Sequence, residues 1–409
     1  MEKPLTGVKV LELSIFVAAP SCARLLADLG AEVIKVERPE GDNWRQVGKN
    51  FHPDHYSDTF NPVFDIYNSG KRFVSIDLKN PAGKAVFDKL LSQADVFLTN
   101  LRPAALDRLG LSPQAVRKAY PKLVYAMLLG YGEKGPDADK PAFDGTAFWA
   151  RSGFLRDMAP VTGDYEPVVA PSAVGDTASG MFLMGEICAA LYRRTKTGEG
   201  DYVRSTLYHN GIFTMGTMGI AAQEQWGRKF PKSRAEHGMP DGYYRCGDDE
   251  WIFFSSSGIP KNNQGFYRIL GLSEIHKDPR FDTPEKRTAN KLELLHLVQE
   301  AFMQKTSAQW LQLAEEADIP MVLMNHFDAP ARDEQAWANH FVEQVTFPGG
   351  QTGVMPSSPL EMESLGTLKT VPAPLIGRDT RAVLEELGYT GAQIDQMYET
   401  GAVSTQRES

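Results

Sequence analysis

The sequence predicts an α/β protein: a doubly wound parallel-sheet large domain with a smaller α+β domain. Two observations carry this. The first 130 residues alternate short apolar runs with stretches of helical period, the pattern of βαβ units, whose strands must lie parallel. Residues 225–325 then change texture and read as a hairpin followed by helix. The length, 409 residues, accommodates two to three domains at roughly 150 residues each.

The elements follow in order. Val8–Leu13 is a buried strand. Pro20–Leu29 carries apolar residues at helical spacing and stops at Gly30. Glu32–Glu37 and Phe73–Leu78 are the second and third strands. A helix from Pro81 to about Gln93 has proline at its start, where the missing N–H costs nothing. Asp95–Asn100 and Leu123–Leu128 are the fourth and fifth strands. Residues 177–195 form one long helix with Met181, Leu183, Met184, Ile187, Ala190 and Leu191 on a broad apolar face. Arg193, Arg194 and Lys196 suit its negative end, and Gly198 and Gly200 terminate it. Tyr243–Cys246 and Trp251–Phe254 flank Gly247-Asp248-Asp249-Glu250 as a hairpin. Leu292–Gln304 and Thr380–Leu387 are helical. These textures divide the chain into 1–224, 225–325 and 326–409.

Composition excludes several classes of function. Lys and Arg number 43 against 52 Asp and Glu, a formal net charge of −9. A general nucleic-acid binder needs the opposite balance, although a local basic groove for a small anion remains compatible. Cys22, Cys188 and Cys246 are far apart and form no CxxC pair, which fits a reducing compartment and no structural zinc. The opening Met1–Thr6 lacks the apolar core of a signal peptide, and Gly180–Tyr192 is too short to span a bilayer. A cytoplasmic protein without membrane or nucleic-acid partners is expected.

The motif search narrows the chemistry. The first strand–helix crossing, Leu13-Ser14-Ile15-Phe16-Val17-Ala18-Ala19-Pro20, has no GxGxxG, and no GxxxxGK[ST] occurs, so a dinucleotide-dependent oxidoreductase is disfavoured. His52 and His55 with Asp54 and Asp58 read as a solvated loop, and no metal is expected. No GxSxG elbow is present, Cys188 falls in the apolar helix pattern, and Cys22 and Cys246 have no adjacent base.

A carboxylate nucleophile remains. Of the Gly-Asp pairs, those at Asp42, Asp164 and Asp248 read as turns. Asp176 immediately precedes the long helix and is followed by the small residues Thr177, Ala178, Ser179 and Gly180. Free N–H groups and the positive dipole end there would keep it ionised and hold a developing oxyanion; a plain N-cap explains the same pattern equally well. Arg38, Lys79, Arg102 and Arg108 each follow a strand. In a parallel sheet those ends share one edge, where ligands bind, so the four converge on a polyphosphate site. Lys71 and Arg72 precede a strand and belong to the opposite end unless the local loop folds back.

These residues stand in a wider pattern. Pro4–Leu13, Leu26–Glu37, Ala104–Gly110, Gly130-Tyr131-Gly132, Gly175-Asp176, Lys196–Gly200 and Ala373–Gly377 fall in order across nearly the whole chain. In these the sequence resembles the class III CoA-transferase family. The resemblance implies two chains threaded as interlocked rings, a homodimer, with the C-terminal segment returning to the large domain. It aligns Asp176 with the catalytic aspartate and carries CoA contacts to Val17, Ala18, Arg38, Ile76, Lys79, Asn100, Leu101, Arg108 and Lys140. It implies transfer of CoA from an acyl-CoA thioester to a free carboxylic acid through an aspartyl mixed anhydride and an aspartyl-CoA thioester, with no tightly bound cofactor.

Departures from the formyl-CoA branch bear on the acid. Val17 replaces a glutamine, and Phe254–Ile259 stands near the place of a glycine-rich loop. Tyr131–Asp137, Pro141–Asp144 and Asp333–Asn339 resemble the aryllactate and 2-hydroxyisocaproate branch. A 2-hydroxy acid or related apolar acid is thereby expected. Trp44, Phe51, Phe143, Phe148 and Trp149 are candidates for its pocket, or equally core or dimer contacts. Two rivals stay open: an acyl-CoA racemase of the same superfamily, opposed by Phe143-Asp144 where racemases carry His–Asp, and a non-catalytic CoA-binding subunit.

Overall fold

The computed structural model describes residues 2–51, 56–159, 166–236 and 239–406. His52, Asp54, His55 and the Gly163-Asp164 pair lie outside them. The chain divides into two compact units: Met1–Phe154 with Val169–Ala221 and Pro330–Ser409, and Leu155–Val168 with Ala222–Ala329.

The larger unit is built on seven strands: β1 (Lys9–Leu13), β2 (Glu32–Glu37), β3 (Arg72–Ile76), β4 (Val96–Thr99), β5 (Val124–Leu129), β6 (Tyr202–Thr206) and, far along the chain, β12 (Val403–Ser404). Their order is β12-β3-β2-β1-β4-β5-β6. Six run parallel, and β12 pairs antiparallel with β3 through Val403 and Ile76. The sheet is therefore mixed, and β6 and β12 are additions to the five strands read from the sequence.

Strand β1 pairs with β2 on one side and β4 on the other, with Val10 opposite both Val33 and Val96. Because β2 and β4 continue the chain in opposite directions across the sheet, the β1/β4 seam is the topological switch point, where α/β folds leave a crevice at the carboxyl ends of the strands. Leu11, Val36, Val74, Phe97 and Tyr125 form one core with the helix Pro81–Leu91 and with Val383 and Leu384 of Thr380–Glu386.

Two further helices position the site. Helix α1 (Ala18–Asp28) follows β1, and helix α2 (Val174–Thr197) is the long apolar one. They are nearly in backbone contact. A Cβ on Gly180 would stand 2.0 Å from Ser21 Oγ and 2.7 Å from the Ala18 carbonyl oxygen. Asp176 lies one turn before Gly180, so both occupy the same helix face.

The smaller unit carries the antiparallel sheet β7 (Gly242–Arg245), β8 (Trp251–Phe254) and β9 (Met321–Leu323). Tyr244, Phe254, Phe266, Phe302 and Trp310 fill its own core. A separate hairpin, β10 (Val342–Thr346) and β11 (Thr352–Pro356), belongs to the larger unit. Among the described residues no helix is long and apolar enough to cross a membrane.

Candidate active site

Two adjoining hollows open at the switch point. The larger, about 510 Å³, includes Ile15, Phe16, Asn100, Leu101, Arg108 and Asp176 in its wall, and Ala18, Arg102, Lys140, Phe143 and Leu207 complete the surface relevant here. The smaller, about 230 Å³, is lined by Arg38, Ile76 and Lys79, and shares Ile15 and Leu101 with the first. The crossing after β1 and the turn after β4 make the common wall. Asn100 fastens them: its amide donates to the Ile15 carbonyl at 2.7 Å and accepts the Ile15 N–H at 3.0 Å. Asn100 thus shapes the cleft with both ends of its side chain engaged.

Val17 stands apart from the residues expected to meet CoA. Its side chain is fully buried, at 0% exposure, and does not line either hollow. The backbone explains this. Phe16 takes the left-handed region at φ +63°, which turns the Phe16 ring into the cleft and Val17 into the core. Sequence reasoning passed over Phe16, because nothing local marks a left-handed phenylalanine. Such a residue costs about 1–2 kcal/mol. Here the conformation is held by the Phe16 N–H, which donates to Asp42 Oδ1 at 3.0 Å.

Asp42 is accordingly more than a turn residue. Its other carboxylate oxygen lies 3.1 Å from Lys35 Nζ, and Lys35 also pairs with Glu12 at 2.9 Å. Lys71 closes the cluster on Glu12 at 2.8 Å and donates to the Pro20 carbonyl at 2.9 Å. The loop before β3 does fold back, so Lys71 is spent on structure, while Arg72 pairs with Glu32 and Glu386. Burial alone would raise the Glu12 carboxyl, but the two lysines overcome it and hold the group below its ordinary value. Lys71 is drawn down to about 8 by burial, against the pull of Glu12. Removing one partner from such a cluster leaves a buried charge uncompensated.

The cations differ in availability. Arg38 bends back onto its own loop, donating to the Gly41 carbonyl at 3.0 Å and to Asn43, with Glu40 at 3.7 Å. Lys140 pairs with Asp137 at 2.7 Å, and Asp137 also meets Arg151 at 2.8 Å. No ion pair with a described carboxylate engages Lys79, Arg102 or Arg108.

Asp176 proves to be the third residue of α2, whose N-cap is Ala173 at φ +67° with no side-chain cap of its own. The plain N-cap reading therefore does not hold. The cap comes from Asp144, which opens the π-helical turn Asp144–Ala150. Its Oδ1 accepts the Asp176 N–H at 3.1 Å, and the N–H groups of Ala173 and Gly175 face the same carboxylate. Gly175 is required here, since a Cβ would stand 2.3 Å from Asp144 Oδ1. The Thr177 N–H is taken by the Ala173 carbonyl at 2.9 Å. The N–H groups of Ala173, Gly175, Asp176 and Thr177 are thus already engaged within the protein.

Electrostatics also differ from expectation. Burial, and then the neighbouring Asp144 charge, push Asp176 up to about 7. The helix dipole does not keep it in the ordinary carboxylate range. A desolvated, more basic carboxylate is a stronger nucleophile once ionised, which is the property a covalent acyl carrier needs.

Aromatic rings extend from the site. Phe16 meets Phe143 edge-on at 5.4 Å and Trp44 at 6.4 Å, and Trp44 meets Tyr67 at 6.3 Å. Phe148 and Trp149 instead pack with Phe154 in the core. The side chain of Phe51 is outside the described residues. Among the described residues no group of three or more His, Cys, Asp or Glu is placed to hold a metal.

A half-buried aspartate shares this cleft with Arg102 and Arg108 at the switch point of a largely parallel sheet, an arrangement suited to a covalent group transferase with a phosphate-bearing substrate. The chain belongs to CoA-transferase family III, whose model matches residues 5–380. It is 38% identical over 400 residues, 98% of this chain and 99% of the relative, to (R)-2-hydroxy-4-methylpentanoate CoA-transferase of Clostridioides difficile. It is 34% identical over 408 residues, 98% of each chain, to cinnamoyl-CoA:phenyllactate CoA-transferase of Clostridium sporogenes. Among solved structures, a CAIB/BAIF family protein of Brucella suis matches with a TM-score of 0.79 and 27% identity, covering 95% of this chain and 100% of that one. The protein is a CoA-transferase: it moves CoA between an acyl-CoA and a carboxylic acid through an aspartyl intermediate.

Proposed function

We propose that Asp176 is the carboxylate that carries the transfer, and that the acid is a 2-hydroxy acid with an apolar side chain. The observation that supports this most is the placement of Asp176: half-buried, raised in basicity, and in one cleft with Arg102, Arg108 and the rings of Phe16 and Phe143. Lys79, Arg102 and Arg108 hold the phosphates of CoA, Ile76 and Leu101 give the apolar wall, and Arg38 and Lys140 exchange their present partners for the ligand. The Asp176 carboxylate attacks the thioester carbonyl, giving a mixed anhydride and CoA thiolate. The thiolate attacks the aspartyl carbonyl, which releases the donor acid and leaves an aspartyl-CoA thioester. The acceptor carboxylate attacks that thioester, and the thiolate returns to the acceptor's acyl carbon. One thioester replaces another, so no external energy source is consumed.

An acceptor panel against one acyl-CoA donor tests this. Apolar 2-hydroxy acids should give the highest kcat/KM, and Arg108→Ala should raise the KM for acyl-CoA roughly tenfold without changing acid preference. Best activity with oxalate or a dicarboxylate would overturn the acid assignment.

We further propose a homodimer. Phe213 is 72% exposed, and Met181, Phe182, Met218 and Ile220 are exposed beside it in sequence or on α2. Phe182 and Phe213 meet edge-on at 6.1 Å. Monomers rarely leave apolar side chains in such groups open to water. Sedimentation equilibrium at micromolar concentration should report twice the chain mass, and Phe213→Asp should weaken the association. A wild-type monomer would end the proposal.

A further inference from the structure

We infer that Phe16 determines specificity: with Phe143 it forms a clamp of two nearly perpendicular rings that takes the hydrocarbon side chain of the free acid beside Asp176. The inference deepens the apolar-acid reading above and depends on it.

Three independent observations meet here. Phe16 holds φ +63°, a conformation glycine adopts without penalty and phenylalanine does not. The fold maintains it through the buried chain Phe16 N–H, Asp42, Lys35 and Glu12. A strained residue supported in this way points to a use for its side chain. The ring itself is only half-buried and lines the cleft with Asp176.

Phe143 gives the second observation. It is 57% exposed and lines the same cleft, so core packing does not account for it. It precedes Asp144, whose carboxylate accepts the Asp176 N–H. The ring is thereby set one residue from the group that touches the reacting helix turn. The third is geometric: the rings lie 5.4 Å apart at 84°, and Trp44, anchored by its indole N–H to the Val63 carbonyl at 2.9 Å, backs Phe16 from the other side. Two edge-to-face rings present a flat wall and an edge, which suit a planar or branched hydrocarbon group. Asp42 is a positioning residue, since it acts through Phe16.

The test uses Phe16→Gly, which relieves the backbone strain, and Phe143→Ala, at an exposed position. Each is assayed with 4-methyl-2-hydroxypentanoyl-CoA as the fixed donor and two acceptors, 3-phenyl-2-hydroxypropanoate and 2-hydroxypropanoate. In a double-displacement scheme kcat/KM for the acceptor reports the second half-reaction alone. Both variants should lose about tenfold or more on the phenyl acid and clearly less on the small acid, so that the ratio of the two kcat/KM values falls several-fold from wild type. Equal losses on both acids would show a structural role and overturn the clamp. So would retention of the wild-type acid ratio by both variants. If the wild type itself fails to prefer the phenyl acid, the acid assignment fails instead, and the two failures are distinguishable.

Discussion

Asp176→Ala is expected to lower CoA transfer to below roughly one thousandth of the wild-type rate while the protein remains folded. The size follows from the mechanism. Without the carboxylate neither anhydride nor enzyme thioester forms, and the remaining cleft only brings acid and thioester together. The retained fold follows from the packing. The methylene and carboxyl of Asp176 cap nothing, because Asp144 caps α2, and Gly180 rather than Asp176 makes the close contact with α1. Asp176→Glu should be nearly as damaging, since an added methylene displaces the reacting oxygen in a site closed by Gly175, Asp144 and Phe143. Rate measurements with circular dichroism separate the two effects. A covalent check accompanies them: acyl-CoA with hydroxylamine should convert Asp176 to its hydroxamate, detected by peptide mass spectrometry. Near-wild-type transfer by Asp176→Ala, or hydroxamate at another carboxylate, would remove Asp176 from the role proposed for it.

The elements that were legible in the sequence are those whose signal is local. Strands β4 and β5 are buried along their whole length and read as nearly continuous apolar runs. Strand β6 has Arg204 in its middle and lies at the sheet edge, partly exposed, so its apolar signal is diluted. Strand β12 is two residues long and exists through its pairing with β3. The site divides in the same way. Arg38, Lys79, Arg102 and Arg108 could be grouped because strand polarity alone places them on one edge. Asp144 could not be seen as the cap of α2, since the contact spans 32 residues. Phe16 and Asp42 depend on a backbone twist and a buried lysine pair, neither of which leaves a periodicity. The start of α2 at Val174 was hidden because Ala173 is an unusual cap, and burial together with the Asp144 charge, neither of them local in sequence, reverses the electrostatic expectation for Asp176.

That reversal gives the second large effect, on pH. The carboxyl is raised to about 7, mainly by burial and then by Asp144. In the unfolded chain an aspartate titrates near ~3.9. Between the two values the folded protein holds a proton that the unfolded chain has released, so stability is fully present at low pH and falls as pH rises through the folded pKa. Asp176→Asn cannot ionise. It should melt above wild type at pH 8, by on the order of 1–3 kcal/mol, and the difference should vanish near pH 4. Activity runs the other way. The nucleophile is the ionised form, so kcat/KM should climb through pH 7. Asp144→Asn keeps an oxygen for the Asp176 N–H and removes the charge that opposes ionisation, so its activity limb should move to lower pH. Burial is the larger cause, and the limb should stay above the ordinary carboxylate range. Because Asp144 is itself raised by burial, the limb belongs to the coupled pair, and the displacement on substitution, rather than the midpoint, measures their interaction. A limb that stays fixed or moves to higher pH in Asp144→Asn would show that Asp144 acts on α2 by capping alone. A neutral-pH melting point of Asp176→Asn below wild type would show that the buried carboxylate is not destabilising, and with it that the site holds no basicity in reserve for attack on the thioester.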